Sequence, residues 1–312
     1  MTQFRGNGKF LITGEYLVLL GAEALAMPLR LGQSMTVGKQ PTNNGIIHWD
    51  AFTPKELWFS AMLNRHDFTV RASDNLDAAK RLSEIFQVIK NLNPLILNEK
   101  CDYSFTTRLD FDRQWGLGSS STLISNLAQW ADVNPYDVLR KTFGGSGYDI
   151  ACATSSQSII YKLENDLPKV KKVDFDPAFA ENLCFVYLDK KQVSSSEVNV
   201  FKEKTKTYNF ENEISEVNDI THKILTINTL KEFQNIIGVH EGIISKCIGK
   251  TPLKTFFNDF DGAVKSLGAW GGDFFFAASE MPFERVSKYF QTKGLKTVFK
   301  FNDLKIDKGG LY

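Results

Sequence analysis

The stretch Gly116-Leu-Gly-Ser-Ser-Ser-Thr122 combines glycines with a run of hydroxyl side chains, directly before an amphipathic segment with helical spacing. Glycines let a backbone approach a ligand closely, and the free N–H groups at a helix start attract phosphate. A hydroxyl at such a point is also suited to ligate Mg²⁺ held by the phosphates. The alternative is a turn followed by an ordinary capped helix. The stretch taken alone fits both interpretations equally, and it lacks the Gly-Lys-Ser/Thr of a Walker A motif.

Three other stretches carry residue types suited to phosphoryl transfer. Lys9 introduces an apolar run that ends at Thr13, and Asp149 follows Gly144-Gly-Ser-Gly147 at another expected helix start. Gly268-Ala-Trp-Gly-Gly-Asp273 lies between an expected helix and an expected strand. An ammonium group can neutralise phosphate charge, and a carboxylate can act as a general base. Each stretch taken singly also fits a structural role, as a strand end, a helix-start carboxylate or a tight turn.

The overall charge restricts the partners of the protein. Lys plus Arg is 37 and Asp plus Glu is 36, for a net charge of +1 over 312 residues. This charge balance shows no excess of positive charge of the kind that binds nucleic acid or an anionic membrane. We therefore expect a small-molecule substrate, no nucleic-acid or membrane partner, and a monomer or homodimer. The length allows two packed domains.

The cysteines and the amino-terminal segment favour a cytoplasmic protein. The four Cys are dispersed without a C-x-x-C pair, so we expect buried free thiols rather than a zinc site. The first apolar stretch is interrupted by Gly14, Glu15, Gly21 and Glu23. A signal peptide needs an uninterrupted apolar segment of about 7–15 residues. No apolar run reaches the length of a transmembrane helix.

The spacing of apolar residues predicts the elements around these stretches. We expect antiparallel sheet at the start, with two short extended pieces on either side of Gly21 and a hairpin across residues 43–45. Helical spacing covers residues 76–92 and dominates from 197 to about 267. The charged, proline-containing stretch 164–181 marks an expected boundary between domains 1–175 and 176–312. Further strands are predicted at 9–13, 101–109, 159–163, 183–188, 274–277 and 296–301, and further helices at 122–131, from 135, and near 283–291. This mixture indicates the α+β class.

The order of the four stretches resembles a known family. Lys9-Phe-Leu-Ile-Thr-Gly-Glu-Tyr16 resembles the opening motif of the GHMP kinases, which include galactokinase, homoserine kinase, mevalonate kinase and phosphomevalonate kinase. Residues 116–121 resemble the second motif, a phosphate loop, and residues 268–273 resemble the third. Ser146-Gly-Tyr-Asp149 is similar to the segment that carries the catalytic aspartate in the mevalonate branch. All four occur in family order over nearly the whole chain, and Gly-Tyr-Asp-Ile-Ala at 147–151 is similar to a bacterial subgroup named for that string.

This resemblance implies a two-domain GHMP kinase fold, with an N-terminal domain like ribosomal protein S5 domain 2 and a ferredoxin-like C-terminal domain. It implies a kinase that transfers the γ-phosphate of ATP to mevalonate or phosphomevalonate, with ATP and Mg²⁺ as cofactors. Lys9 and Asp149 would be catalytic, and Ser120 would ligate Mg²⁺. The triphosphate would lie over Gly116, Leu117, Gly118, Ser119, Ser120 and Ser121. The acceptor side would comprise Glu15, Tyr16, Ser146, Gly147, Ser195, Gly268, Ala269 and Trp270.

Two details lean towards the phosphomevalonate kinases. The aromatic residue in Trp115-Gly-Leu-Gly-Ser-Ser and the sequence Gly271-Gly-Asp273 both resemble that branch. Phosphomevalonate already carries an anionic phosphate, so a base is barely needed, whereas positive charge is needed to hold two phosphates together. The candidate cations are Arg140, Lys141, Lys190 and Lys191, and the alternative for each is a solvated surface charge.

Two departures from the family leave other functions open. Trp270 stands where the third motif usually has a glycine, so the indole would narrow or reshape the acceptor site. The Mg²⁺ glutamate of mevalonate kinases has no counterpart before Asp149, and nearby Asp137 is expected to cap the helix that follows Asn134. The alternatives are a non-catalytic or regulatory ATP-binding protein on the same fold and a diphosphomevalonate decarboxylase-like enzyme.

Overall fold

The computed structural model describes residues 1–190 and 194–306, and the side chains of residues 194–196 lie outside this description. The chain forms two compact units, each built from more than one stretch of sequence. The first unit contains Met1–Gly8, Leu31–Arg113 and Leu117–Thr154. The second contains Lys9–Arg30, Gln114–Gly116 and the described residues from Ser155 onward. The division into domains 1–175 and 176–312 stays a prediction.

The first unit combines a mixed sheet with helices. Its strands are β1 (Thr2–Leu11), β2 (Ala24–Gln40), β3 (Ile46–Phe52), β4 (Leu57–Asn64), β5 (Val70–Ser73) and β6 (Asp102–Leu109), and residues 9–11 of β1 and 24–30 of β2 belong to the second unit. Its helices are α1 (Leu76–Leu92), α2 (Ser119–Ala131), α3 (Pro135–Thr142) and α4 (Tyr148–Thr154). The strands lie in the order β5-β4-β3-β6-β2, and β1 pairs with β2. Along that order the β3–β6 pair is parallel and the others are antiparallel.

The predicted hairpin across residues 43–45 is wrong. β6 lies between β2 and β3, pairing antiparallel with the first and parallel with the second. The loop after β2 instead closes onto Asp102 at the start of β6. The Asp102 carboxylate accepts hydrogen bonds from Thr42 Oγ1 at 2.7 Å, Asn44 Nδ2 at 3.0 Å and the Ile46 N–H at 3.0 Å. A carboxylate distant in sequence therefore satisfies the polar groups of a turn that looks, locally, like the tip of a hairpin.

The helix predicted over residues 76–92 is confirmed as α1. Its N-cap, Asn75, accepts a hydrogen bond from the Ala78 N–H at 3.1 Å. Its apolar stripe is buried, and Phe86 packs edge-on against Trp49 of β3 and Phe105 of β6. These rings belong to the apolar core of the first unit, which α2 also joins. The helical period thus places one face of α1 on the sheet that carries the phosphate loop.

The second unit contains an antiparallel sheet and most of the remaining helices. Its strands are β7 (Ile159–Glu164), β8 (Leu167–Lys172), β9 (Leu183–Tyr187), β10 (Ala263–Ser266), β11 (Phe274–Ala278) and β12 (Val298–Lys300). Its helices are α5 (Ser194–Thr205), α6 (Glu211–Lys223), α7 (Leu230–Ile248), α8 (Phe283–Thr292) and α9 (Phe301–Leu304). Four strands form one sheet in the order β10-β11-β9-β12, and β7 lies between β8 and the first residues of β2.

Two local predictions in the second unit need correction. Leu17–Leu20 is a turn of 3-10 helix and not an extended piece, and β2 begins after it at Ala24. The helical region that starts after residue 193 ends at Ile248, and Ala263–Ser266 is the strand β10. In both cases the short apolar run fits either period, and the long-range pairing decides the outcome. The charged stretch 164–181, which marks the expected domain boundary, contains the strand β8.

The aromatic strand β11 lies at the centre of the second unit. Phe274, Phe275 and Phe276 are all essentially inaccessible, so both faces of the strand are covered. Phe275 packs against Phe257 and Phe290, in the core formed by β9, β10, β11 and α8. The predicted α+β class is confirmed in both units. Within the described ranges, no helix is long and apolar enough to cross a bilayer.

Candidate active site

The phosphate loop of the first unit ends at a helix start that has no side-chain cap. Helix α2 begins at Ser119, earlier than the predicted residue 122, so the serines lie in its first turn. Its N-cap is Gly118, with a φ of +96°, a conformation that glycine adopts without strain. Because glycine has no side chain, it cannot satisfy the first N–H groups of the helix. The geometry therefore suits an external anion such as phosphate.

The three serines of the loop differ in environment. Ser120 is exposed, whereas Ser121 is buried. The Ser121 hydroxyl donates to Asp149 Oδ2 at 2.5 Å, and Asp149 Oδ1 accepts the Ile150 N–H at 3.1 Å. The structure thus brings the phosphate loop and the predicted catalytic aspartate together in one unit. The hydroxyl side chain of Ser120 lies in the accessible first turn of α2, and its predicted role as a metal ligand stays a prediction.

The segment before Asp149 forms the start of α4. Gly147 is buried, and its carbonyl accepts the N–H groups of Ile150 at 3.1 Å and Ala151 at 3.2 Å. Ser146, the other predicted acceptor-side residue here, is partly exposed. Ser146 and Gly147 come shortly before Asp149 in the chain. The Ser-Gly-Tyr-Asp segment therefore leads directly into α4, and Asp149 lies in the first turn of that helix.

Asp137 does not cap α3 as predicted. The side chain of Asn134 performs that role, accepting the Tyr136 N–H at 2.9 Å. Asp137 forms an ion pair with Arg140 instead. The charge of Arg140 is thereby compensated at the protein surface, which weakens its candidacy as a phosphate-binding cation.

The opening motif lies in the second unit. Lys9 Nζ donates to the Gly116 carbonyl at 3.1 Å, so the predicted catalytic lysine lies at the start of the phosphate loop. Lys9, Gly116, Gly268 and Asp273 all line a cavity of about 10 Å³, whose other walls are mainly apolar. Three of the predicted motifs therefore meet within this unit.

Glu15 lies in a cluster of buried charges. It forms an ion pair with Lys265, and neither side chain is exposed. Lys265 also donates to the Ser266 carbonyl at 2.8 Å. Burial raises the pKa of Glu15 to about 7, even though the charge of Lys265 acts in the opposite direction. Glu15 thus contacts protein groups in this structure, and its predicted contact with an acceptor stays a prediction.

His240 and Glu241 of α7 complete this cluster. His240 Nε2 accepts the Gly14 N–H at 3.0 Å, which requires this nitrogen to be unprotonated. Burial, reinforced by the charge of Lys265, lowers the pKa of His240 well below its usual value. Glu241 accepts the Leu253 N–H at 3.0 Å and the Ser266 N–H at 2.9 Å. These bonds fix the turn at Gly14 and Glu15 to α7 and β10.

Two main-chain carbonyls of the third motif accept hydrogen bonds from side chains. Tyr16 donates its hydroxyl to the Ala269 carbonyl at 2.8 Å, and Lys250 Nζ lies 3.5 Å from the Trp270 carbonyl. Lys250 also pairs with Glu197 of α5 at 2.5 Å. Trp270 is only 2% exposed, so its indole packs in the interior of the second unit. Its predicted contact with an acceptor stays a prediction.

Two sequence candidates lie outside the described residues. Lys191 is one of them, and the side chain of Ser195 is the other, although its backbone belongs to α5. Across the described ranges, no group of three or more His, Cys, Asp and Glu side chains is arranged to hold a metal ion. The role of Ser120 as a Mg²⁺ ligand stays a prediction.

Sequence reasoning missed five polar residues that order this region. They are His240, Glu241, Lys250, Lys265 and Asp273, each distant in sequence from at least one of the groups it contacts. Only Asp273 lay within a recognised motif, and the pattern gave it no role. The others carry no local pattern that separates them from ordinary helix or strand residues.

No model of a known protein family matches the chain, and no curated protein sequence does. Solved structures do match it. Mevalonate kinase of Methanococcus jannaschii shares 18% identity, covers 98% of each chain and has a TM-score of 0.70. Streptococcus pneumoniae phosphomevalonate kinase, in complex with phosphomevalonate and AMPPNP, shares 16% identity, with coverage of 96% and 100% and a TM-score of 0.71. A D-glycero-D-manno-heptose 1-phosphate kinase from Bacteroides thetaiotaomicron shares 16% identity, with 99% coverage of both chains and a TM-score of 0.64.

These neighbours are kinases of the GHMP superfamily, and the likeness extends over nearly the whole chain. At such low identities the comparison establishes the fold. The chain has the α+β GHMP kinase fold predicted from its motifs.

Proposed function

We propose that this chain is an ATP-dependent small-molecule kinase that transfers the γ-phosphate of ATP to mevalonate or phosphomevalonate. The observation that carries the proposal is the 2.5 Å hydrogen bond from Ser121 to Asp149. It joins the phosphate loop to the carboxylate at which the resemblance places acceptor activation. Phosphoryl transfer needs mainly positioning and charge stabilisation, and this contact supplies the positioning.

Each predicted residue has a specific part in this proposal. The uncapped first turn of α2 binds the phosphates through its N–H groups, and the exposed Ser120 hydroxyl ligates Mg²⁺. Mg²⁺ would neutralise phosphate charge at this loop. Asp149, fixed by Ser121 and by the Ile150 N–H, orients the acceptor hydroxyl and accepts its proton. Lys9 supplies positive charge at the beginning of the loop.

The acceptor class follows from the motifs and the fold neighbours together. Mevalonate and phosphomevalonate kinases are among the neighbours, and the motif resemblance favours the same branch. Galactokinase and a heptose phosphate kinase share the fold at similar scores, so sugars belong in the test.

The test is ADP formation from ATP and Mg²⁺ with mevalonate, phosphomevalonate, homoserine, galactose and a heptose phosphate as acceptors. We expect turnover with mevalonate or phosphomevalonate. Asp149→Asn should reduce transfer to a hydroxyl acceptor by about 10²–10⁴-fold while the protein stays folded. Asp137→Asn is the matched control. Asp137 also lies in the first turn of a helix of the first unit, and its described ion pair is with Arg140 at the surface.

Other outcomes replace the proposal with a defined alternative. ATP binding without turnover on any acceptor identifies a non-catalytic or regulatory protein. Release of CO₂ from diphosphomevalonate identifies a decarboxylase-like lyase. Turnover of a sugar alone keeps the kinase and rejects the mevalonate-type acceptor.

A further inference from the structure

Two charged side chains of the second unit lie against the same glycine. Lys9 Nζ donates to the Gly116 carbonyl at 3.1 Å. If residue 116 carried a β-carbon, that atom would lie 2.2 Å from Asp273 Oδ2 and 2.3 Å from the carboxyl carbon of Asp273. The Asp273 carboxylate therefore occupies the space that any side chain at position 116 would need. The third motif touches the phosphate loop through this carboxylate.

The surroundings strengthen a charge interaction at this place. Lys9 and Asp273 both line the small cavity beside Gly116, together with Phe10, Trp115 and Phe274. A volume of about 10 Å³ holds at most about one water molecule. Since aromatic side chains limit the access of water on this side, opposite charges attract more strongly than they do on an open surface. Lys9 itself is partly accessible, so it remains open to reagents.

The backbone of Asp273 is fixed in an uncommon conformation. Its φ is +56°, in the left-handed region that non-glycine residues seldom adopt. Two main-chain hydrogen bonds hold it there: its N–H donates to the Lys190 carbonyl at 2.7 Å, and its carbonyl accepts the Leu188 N–H at 2.7 Å. Such a conformation persists where the surrounding structure enforces it, and it often occurs at functional sites. Here it aims the carboxylate at Gly116.

We propose that Asp273 is a positioning residue that further stabilises the ammonium form of Lys9 and holds it at the Gly116 carbonyl. Lys9 then presents a fixed positive charge where the phosphate loop begins. The consequence for activity rests on the proposed kinase function, whereas the effect on Lys9 itself does not. A purely structural Asp273 would leave the acid–base behaviour of Lys9 unchanged.

The decisive experiment measures the reactivity of Lys9 as a function of pH. Trace acetylation with acetic anhydride, followed by mass spectrometry of the Lys9 peptide, reports the fraction of free amine without requiring turnover. A carboxylate within about 4–6 Å raises the pKa of a lysine by roughly 1–3 units. In Asp273→Asn we therefore expect acetylation of Lys9 at pH 8 to rise on the order of tenfold. Asp273→Gly should give the same rise, and glycine tolerates the positive φ, so this variant is expected to fold.

Asp259→Asn is the matched control. Asp259 also belongs to the second unit and pairs with Lys293 at 3.0 Å on the surface. This variant should leave the Lys9 profile unchanged. An unaltered Lys9 profile in folded Asp273→Asn and Asp273→Gly overturns the proposal, even if the protein is an active kinase. A shifted Lys9 profile in a protein that phosphorylates no acceptor supports the positioning role and rejects only the kinase function.

Discussion

Replacing Lys265 with Met tests the buried charge cluster beneath the turn at Glu15. In the wild type the Lys265 ammonium pairs with Glu15, and both side chains are fully buried. The substitution leaves Glu15 in an apolar interior without its cation. Removing one partner of a buried ion pair costs about 3–5 kcal/mol. That is a large part of the free energy of unfolding of a typical protein, which is about 5–15 kcal/mol.

The free energy of unfolding depends on pH through the protonation of Glu15. Burial raises the pKa of Glu15 from 4.5 to about 7 in the folded state. The folded protein therefore binds this proton more tightly than the unfolded chain does. The resulting stabilisation is fully present below about pH 4.5 and is lost as the pH rises through 7, on the order of 3 kcal/mol in total. Without Lys265 the pKa of Glu15 rises further, so the loss extends to higher pH.

The assay is urea unfolding of the wild type and Lys265→Met at pH 5.5 and pH 8. At pH 8 we expect the variant to be less stable by about 3–5 kcal/mol. At pH 5.5 Glu15, whose pKa is about 7, is largely protonated in both proteins. The penalty should therefore be smaller there by about 1.4 kcal/mol, the free energy that corresponds to one pH unit above that pKa. The double variant Glu15→Gln/Lys265→Met should recover much of the loss at pH 8, because no uncompensated charge remains at either position.

Two results would refute this reasoning. One is a Lys265→Met penalty that is the same at both pH values, which would mean that Glu15 does not titrate as proposed. The other is a double variant whose penalty equals the sum of the single penalties, which would mean that the two charges do not interact. Lys293→Met is the control, since its partner Asp259 is exposed, and it should cost at most about 1 kcal/mol at either pH.

Three further variants test the site. Ser121→Ala removes the donor to Asp149, so we expect kcat to fall by about 10- to 100-fold with little change in the melting temperature; an unchanged kcat contradicts the positioning role. Ser120→Ala should raise the Mg²⁺ concentration needed for half-maximal rate, and an unchanged Mg²⁺ titration removes Ser120 as a ligand. Trp270→Ala should destabilise the protein by about 3–5 kcal/mol in urea unfolding, because the indole is buried; a loss below about 1 kcal/mol would show that it does not contribute to the core.

Local patterns were sufficient for the helix α1 and for recognising the glycine–serine loop before α2. The helix over residues 76–92 has six buried positions at helical spacing and an Asn at its N-cap, so period and cap agree. The start of α2 was placed too late, because serine is a weak helix former in isolation, and the three serines were assigned to the loop. The structure shows that a glycine N-cap is enough to begin the helix there.

Elements that depend on distant partners could not be predicted. The Asn-Gly turn at residues 44–45 favours a hairpin locally, yet β6 inserts between the two strands and Asp102 satisfies the turn. The same holds for the candidate site. Asp149 and Ser121 are 28 residues apart, and no spacing rule places their side chains in contact. Lys265 and Glu15 are 250 residues apart, and a single lysine in a short strand carries no sign of its partner.

Trp270 is the clearest departure from the family motif, and the structure shows how the loop accommodates it. Two side chains donate hydrogen bonds to main-chain carbonyls of this loop, Tyr16 to Ala269 and Lys250 to Trp270. Trp270 itself has a φ of +50°, in the left-handed region that glycine adopts without strain and that bulky residues seldom adopt. The indole, in turn, is buried within the second unit and fills interior volume. Position 270 thus keeps a glycine-like backbone conformation while its indole packs in the interior, and the departure does not by itself argue against catalysis.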